Sequence, residues 1–228
     1  MSADAADSIA AAADTVERRR AAAIALGGSM RDLLEAAALT EVPAAELSAA
    51  AAAVDAVVAR LRAVQRADGA VSSVEDFESG IRVHNPVIGG GSGIAVPLDI
   101  TAHPDGGVTA TAVMRARFEG PAFHLHGGIA ALLMDQMLAG AVLQAGRWGM
   151  TATLETTYRG AVPLHVPVVL RARVTEESGR RTVAEGTIAL AAEPDTVLVQ
   201  ARAVFVTPRE ETLQQYFGDV RLYNRLQD

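Results

Sequence analysis

The period of the apolar residues changes twice along this chain, and each change predicts a change of structure. Residues 3–68 are rich in alanine, the best helix former, and two stretches repeat at helical spacing. The first covers residues 8–38 and the second residues 43–67, with a threonine and a proline near the start of the second, as helix beginnings favour. Leu47, Ala51, Val54, Val57, Val58, Leu61 and Val64 fall on one stripe. That stripe predicts an amphipathic extension packed on the main domain or on a partner subunit. Aromatic anchors for a membrane surface are missing from it. Residues 69–93 lose the period and read as loop, ending in Gly89-Gly90-Gly91-Ser92-Gly93. This glycine run lacks the Lys-Ser/Thr of a phosphate-binding loop and reads as a flexible connection.

From residue 94 the pattern is that of strands. Residues 94–100 and 107–115 predict two short strands joined by the turn His103-Pro104-Asp105-Gly106. An apolar helix over 127–145 follows, closed by Gly146. Four strand-like runs come next, at 150–158, 166–175, 182–191 and 197–206, the last two separated by Glu193-Pro194-Asp195. Alternation is clear in Val168, Leu170, Ala172 and Val174, and again in Val197, Val199, Ala201, Ala203 and Phe205. Two strands, one helix and four more strands imply an α+β fold, an antiparallel sheet around a central helix. The organisation is then a helical extension over 1–70, a main domain over 71–208 and a polar tail over 209–228, either a short docking helix or a loose end.

Composition narrows the function classes. Half of the 228 residues are hydrophobic and 21% are charged, a globular profile. The net charge of −7 gives no basic footprint for nucleic acid. With no cysteine, thiol nucleophiles and Cys-ligated metals are excluded, and five scattered histidines suggest no metal site. No run of 18 apolar residues predicts a membrane span, and the acidic first residues do not read as a signal peptide, so a cytoplasmic location is expected.

The chemistry concentrates in residues 124–135, His-Leu-His-Gly-Gly-Ile-Ala-Ala-Leu-Leu-Met-Asp. A carboxylate inside an apolar helix is costly to bury unless it is paired or used, although Asp135 could also face solvent. Gly127 and Gly128 at the helix start leave bare N–H groups aimed at whatever docks there, unless they only punctuate a turn. Donors for a developing oxyanion and a base or nucleophile are two parts of an acyl-transfer site. Their seven-residue spacing, about two turns, puts Gly128 and Asp135 near one helix face.

His126-Gly127-Gly128 followed by Asp135, then Met150–Leu154 and Tyr158–Leu164, resembles the PaaI-like hotdog-fold acyl-CoA thioesterases over roughly residues 76–208. The resemblance implies a hotdog fold assembled as a homodimer or homotetramer, with active sites at the subunit interface and no cofactor. It implies that Asp135 is general base or nucleophile, that Gly128, with Gly127 beside it, offers backbone N–H to the thioester carbonyl, and that Thr151 orients water or steadies Asp135. His126 would position the loop at the helix start. His84-Asn85-Pro86 is similar to the family's Asn-Pro segment, which makes Asn85 a water-binding candidate, although residues 87–93 depart from its compact Asn-Pro-x-Gly form. For the phosphates of acyl-CoA, Arg180 and Arg181 in a turn are the candidates among Arg159, Arg171, Arg173, Arg180, Arg181 and Arg202. A hotdog hydratase would need an Asp-x4-His pair, which is missing. A non-catalytic acyl-thioester-binding or assembly protein, using the same pocket and the helical extension, is the alternative.

Overall fold

The computed structural model describes residues 3–96 and 98–218. Two helices open the chain, α1 (Ala3–Leu39) and α2 (Ala44–Arg62). A hairpin of β1 (Asp99–Ala102) and β2 (Val108–Val113) follows, then a 3-10 turn at Ala116–Phe118, the central helix α3 (Gly127–Gln144), strands β3 (Met150–Tyr158), β4 (Pro167–Ser178), β5 (Arg181–Leu190) and β6 (Glu193–Val206), and a short α4 (Glu210–Phe217). The six strands form one antiparallel sheet in the order β1-β2-β4-β5-β6-β3, so α3 carries the chain from β2 across the sheet to the far edge. This is the hotdog arrangement. The strand β3 is an edge, with one side of its backbone unpaired among the described residues.

Helix α3 is largely apolar because one whole side of it is the core of the domain. Leu133, Met134, Met137, Leu138 and Ala141 have no exposed surface and pack on Val168, Leu170, Ile188, Ala203 and Phe205 of the sheet. Each such Leu or Met contributes about 1.5–3 kcal/mol through the surface it hides. Small sheet residues make room: a Cβ on Gly186 would sit 2.6 Å from the Met134 methyl. Among the described residues α3 is the one helix long and apolar enough to cross a membrane, and its place is the protein core.

Helix α1 is strapped to the domain. Arg20 Nε donates to Val74 O at 2.9 Å, and Arg31 Nη1 donates to Gly90 O and Ser92 O, both at 2.8 Å. The Glu35 carboxylate accepts the N–H groups of Ala116 (3.0 Å) and Arg117 (3.2 Å) and pairs with the Arg117 guanidinium at 3.6 Å. Burial lowers the proton affinity of Arg117, and Glu35 opposes that shift. The glycine run expected to be a flexible connection is instead a packing platform. Gly89 and Gly91 are buried, and the backbone of Gly90-Gly91 meets α1 at Gly27, where a Cβ would lie 2.3 Å from Gly90 O. Two glycines inside a helix weaken it by about 1 kcal/mol each; Gly27 is kept because only a bare Cα permits this approach. Gly27→Ala is therefore expected to destabilise the docked state by about 1–3 kcal/mol despite its better helix propensity. Limited proteolysis and a thermal melt check this; a more stable variant would contradict the packing argument.

Helix α2 behaves differently. It buries no residue, and Leu47, Val54, Val57 and Leu61 of its stripe are 37–51% exposed. Of the extension's two helices, α1 docks on the main domain, whereas α2 buries no residue against it.

Several boundaries differ from those predicted, and three of the differences have a visible cause. The strand expected at 94–100 is only Asp99–Ala102, because Val96 N donates to Val87 O (3.0 Å) and folds the buried Ala95 and Val96 into the loop; Pro97 lies outside the described residues. Strand β2 stops at Val113, as Met114 O turns to accept His165 N. The turn expected at Glu193-Pro194-Asp195 falls at residues 191–192 instead, and those three open β6, where the register against β5 is irregular and tolerates proline. The tail begins as α4, whose Phe217 meets Trp148 edge-on at 6.1 Å, while Tyr223 is outside the described residues.

Candidate active site

The site is built around the N-terminus and the middle of α3. Before its N-terminus the chain makes a tight loop: residues 119 and 125 bridge, and His124 bridges Pro163. Gly120 is required there, since a Cβ would lie 2.7 Å from the His126 Cα. Phe123 takes φ 67°, a conformation costing about 1–2 kcal/mol for a residue with a side chain. It is held by its N–H on Glu119 Oε1 (2.5 Å) and by its carbonyl accepting Leu164 N (3.0 Å). The loop delivers His126 as the N-cap of α3, anchored by its own N–H on Phe118 O at 2.9 Å.

His126 Nδ1 accepts the Gly128 N–H at 3.0 Å. The Tyr158 hydroxyl donates to Gly127 O at 2.8 Å. This corrects one expectation: the Gly128 N–H is already used by the cap. The Gly127 N–H has no hydrogen-bond acceptor among the described residues, so the free donor at the helix start belongs to the first glycine. Gly127 faces a cavity of about 340 Å³, lined also by Pro121, Leu125, Tyr158, Arg159 and Val162.

Further along α3, Asp135 is half-buried between Met134 and the Gln136–Leu138 turn. Its Oδ1 accepts the Thr151 hydroxyl at 2.9 Å, so the two residues that the motifs singled out do meet. Thr151 stands near the start of the edge strand β3, and Tyr158 ends it. A second correction concerns distance. Gly127 and Asp135 are eight residues apart, about 12 Å along the helix axis. Sharing a face does not bring them to one carbonyl: within one chain the donor and the carboxylate serve two separate places.

Three substrate-binding candidates have other duties. Asn85 Oδ1 accepts the N–H groups of Val87 (2.8 Å) and Ile88 (3.0 Å), and its Nδ2 donates to Gln136 Oε1 at 3.3 Å. It organises the loop against α3, at the residue that follows Asp135. Arg180 donates to Thr207 O at 3.0 Å, and Arg181 pairs with Glu176 at 3.7 Å, so both guanidiniums are engaged where they were expected to await phosphates. Of the arginines considered, Arg159 lines the cavity by Gly127, where it also holds Gln200 Oε1 at 2.9 Å. A wider groove of about 740 Å³ lies along Thr109, Arg171, Glu185 and Gln200, and neither Asp135 nor Gly127 lines it. Tyr158 belongs to the stretch that carries the resemblance but has no role in it; as the last residue of β3 its spacing carries no signal for a bond to Gly127.

Residues 124–191 match the family model described as Thioesterase superfamily. A crystal structure of a thioesterase superfamily protein is 28% identical, covering 81% of this chain and 94% of that one, with a TM-score of 0.71. A hypothetical thioesterase protein from Streptococcus pneumoniae TIGR4, solved with coenzyme A, is 21% identical over 49% of this chain and 90% of that one, with a TM-score of 0.45. An uncharacterized mitochondrial protein of Candida albicans (strain WO-1) is 33% identical over 91 residues, 37% of this chain. The match spans 41% of that relative's length.

Proposed function

We propose that this chain hydrolyses acyl-CoA thioesters to free acid and CoA as a PaaI-like thioesterase, working as a homodimer. The observation that carries the reading is the Asp135–Thr151 hydrogen bond in the apolar central helix, paired with the bare Gly127 N–H on a cavity. A thioester carbonyl becomes negative at oxygen during attack, and a fixed N–H at a helix N-terminus stabilises that charge by a few kcal/mol. Asp135 activates the attacking water or attacks directly, with Thr151 fixing its orientation.

The dimer follows from the 12 Å problem. Two copies joined antiparallel along β3 would set the Thr151 end of one strand beside the Tyr158 end of the other. Thr151 marks Asp135 and Tyr158 marks Gly127, so each site would combine the carboxylate of one copy with the donor of the second. Such pairing also removes an exposed nine-residue edge.

The test is release of CoA from acetyl to palmitoyl and phenylacetyl thioesters, followed with a thiol reagent. The chain has no cysteine to give a background. Turnover that peaks at one acyl group is the expected result. Binding of these thioesters without any release would replace the reading with a non-catalytic acyl-thioester-binding protein.

A further inference from the structure

The peptide unit between Gly127 and Gly128 is held at both ends. Its carbonyl oxygen accepts the Tyr158 hydroxyl at 2.8 Å, and its N–H donates to His126 Nδ1 at 3.0 Å. These holds come from opposite sides of the fold: His126 from the loop before α3, Tyr158 from the last residue of β3. A peptide plane fixed at both its polar groups cannot swing, and the next peptide upstream is held at its own carbonyl, His126 O, by the N–H groups of Ile129 (3.0 Å) and Ala130 (3.2 Å). That upstream unit carries the Gly127 N–H, which has no acceptor among the described residues and faces the cavity.

The geometry points to His126 and Tyr158 as positioning residues that clamp this peptide and so aim the Gly127 N–H. The inference rests on the thioesterase reading given above. Two details favour a clamp over incidental contacts. Tyr158 is 53% exposed, so it adds little to the core and its hydroxyl could have bonded to water. His126 is exposed too, and Gly120, where no Cβ fits, sets its backbone. Accepting through Nδ1 places the ring proton on Nε2, which leaves His126 a capping acceptor and gives it no proton to move at this atom. Preorganisation of a donor acts on the transition state and not on ground-state binding, so the clamp belongs to kcat and not to KM.

The experiment compares Tyr158→Phe, His126→Ala and His126→Asn in the full chain. Tyr158→Phe and His126→Ala are each expected to lower kcat about tenfold with KM nearly unchanged. Asparagine caps helices as well as histidine accepts here, yet it moves no proton, so His126→Asn is expected to recover most of the loss. A Tyr158→Phe enzyme with the parent kcat, or His126→Asn as slow as His126→Ala, overturns the clamp. Hydrogen exchange of the glycine amides in 15N-glycine protein reads the same contact without turnover. The Gly128 amide is expected to be protected in the parent, released in His126→Ala and protected again in His126→Asn, with Gly127 exchanging freely throughout. An unprotected Gly128 in the parent overturns the clamp, whereas a parent that cleaves no thioester but shows this exchange pattern overturns the thioesterase reading alone.

Discussion

Asp135→Ala is expected to cut thioester turnover by about 10²–10⁴-fold, the usual worth of a positioned general base. The same change is expected to leave stability unchanged or improved. Asp135 sits on a helix whose neighbours Met134, Met137 and Leu138 are fully buried, and its side chain accepts from the exposed Thr151. Alanine is the better helix former, and it removes a carboxylate from an apolar surface. Opposite signs for activity and stability are the mark of a residue kept for chemistry. Steady-state rates and a thermal melt on one preparation measure both. A variant that melts several degrees lower would make Asp135 a structural residue, and one that keeps the parent rate would remove it from the mechanism.

Gly127→Pro should remove the second half of the site without unfolding the first. Proline lacks the N–H that the reading places on the thioester oxygen, and deletion of one such donor costs about 10²–10³-fold in kcat. The position tolerates it: Gly127 is the first residue of α3, where proline is at home, and His126 already has φ −61° and ψ 130°, as a residue before proline requires. Its N–H bonds to nothing in the protein among the described residues, so no internal hydrogen bond is lost. The shared-site reading adds a sharper result. Asp135→Ala and Gly127→Pro chains, each inactive alone, should regain roughly a quarter of the parent activity when unfolded and refolded together at equal amounts, because half the dimers are mixed and each holds one intact site of two. Two inactive variants that stay inactive on mixing would confine the reaction to single chains, against the 12 Å separation of donor and carboxylate.

Periodicity made the core legible. The alternation of Val168, Leu170 and Ala172 placed β4, and the alternation from Val199 to Phe205 placed most of β6, since a strand with one buried face writes that face into every second residue. The pair Asp135 and Thr151 was legible too, through a motif resemblance that the hydrogen bond between them matches. What escaped was contact between distant backbone. Nothing in the local pattern of Gly89–Gly93 tells that Gly27 will lie against it, because glycine serves turns and close approaches alike. The same holds for which N–H remains free at a helix start: both glycines are bare in sequence, and only the reach of His126 Nδ1 decides between them. The partners of Arg180 and Arg181 escaped for a related reason, as nothing in the sequence of a turn announces Thr207 and Glu176 beside them.

The hold of α1 on the Gly90–Ser92 backbone has a consequence for modularity. Arg31 fastens that loop from outside, while Asn85 fastens the same loop to Gln136, the residue next to Asp135. The loop is thus a washer between the first helix and the helix that bears the carboxylate. A boundary drawn near residue 70, which divides helices from sheet on paper, cuts through a fastened joint. The smallest piece expected to keep its chemistry in another setting therefore begins with α1.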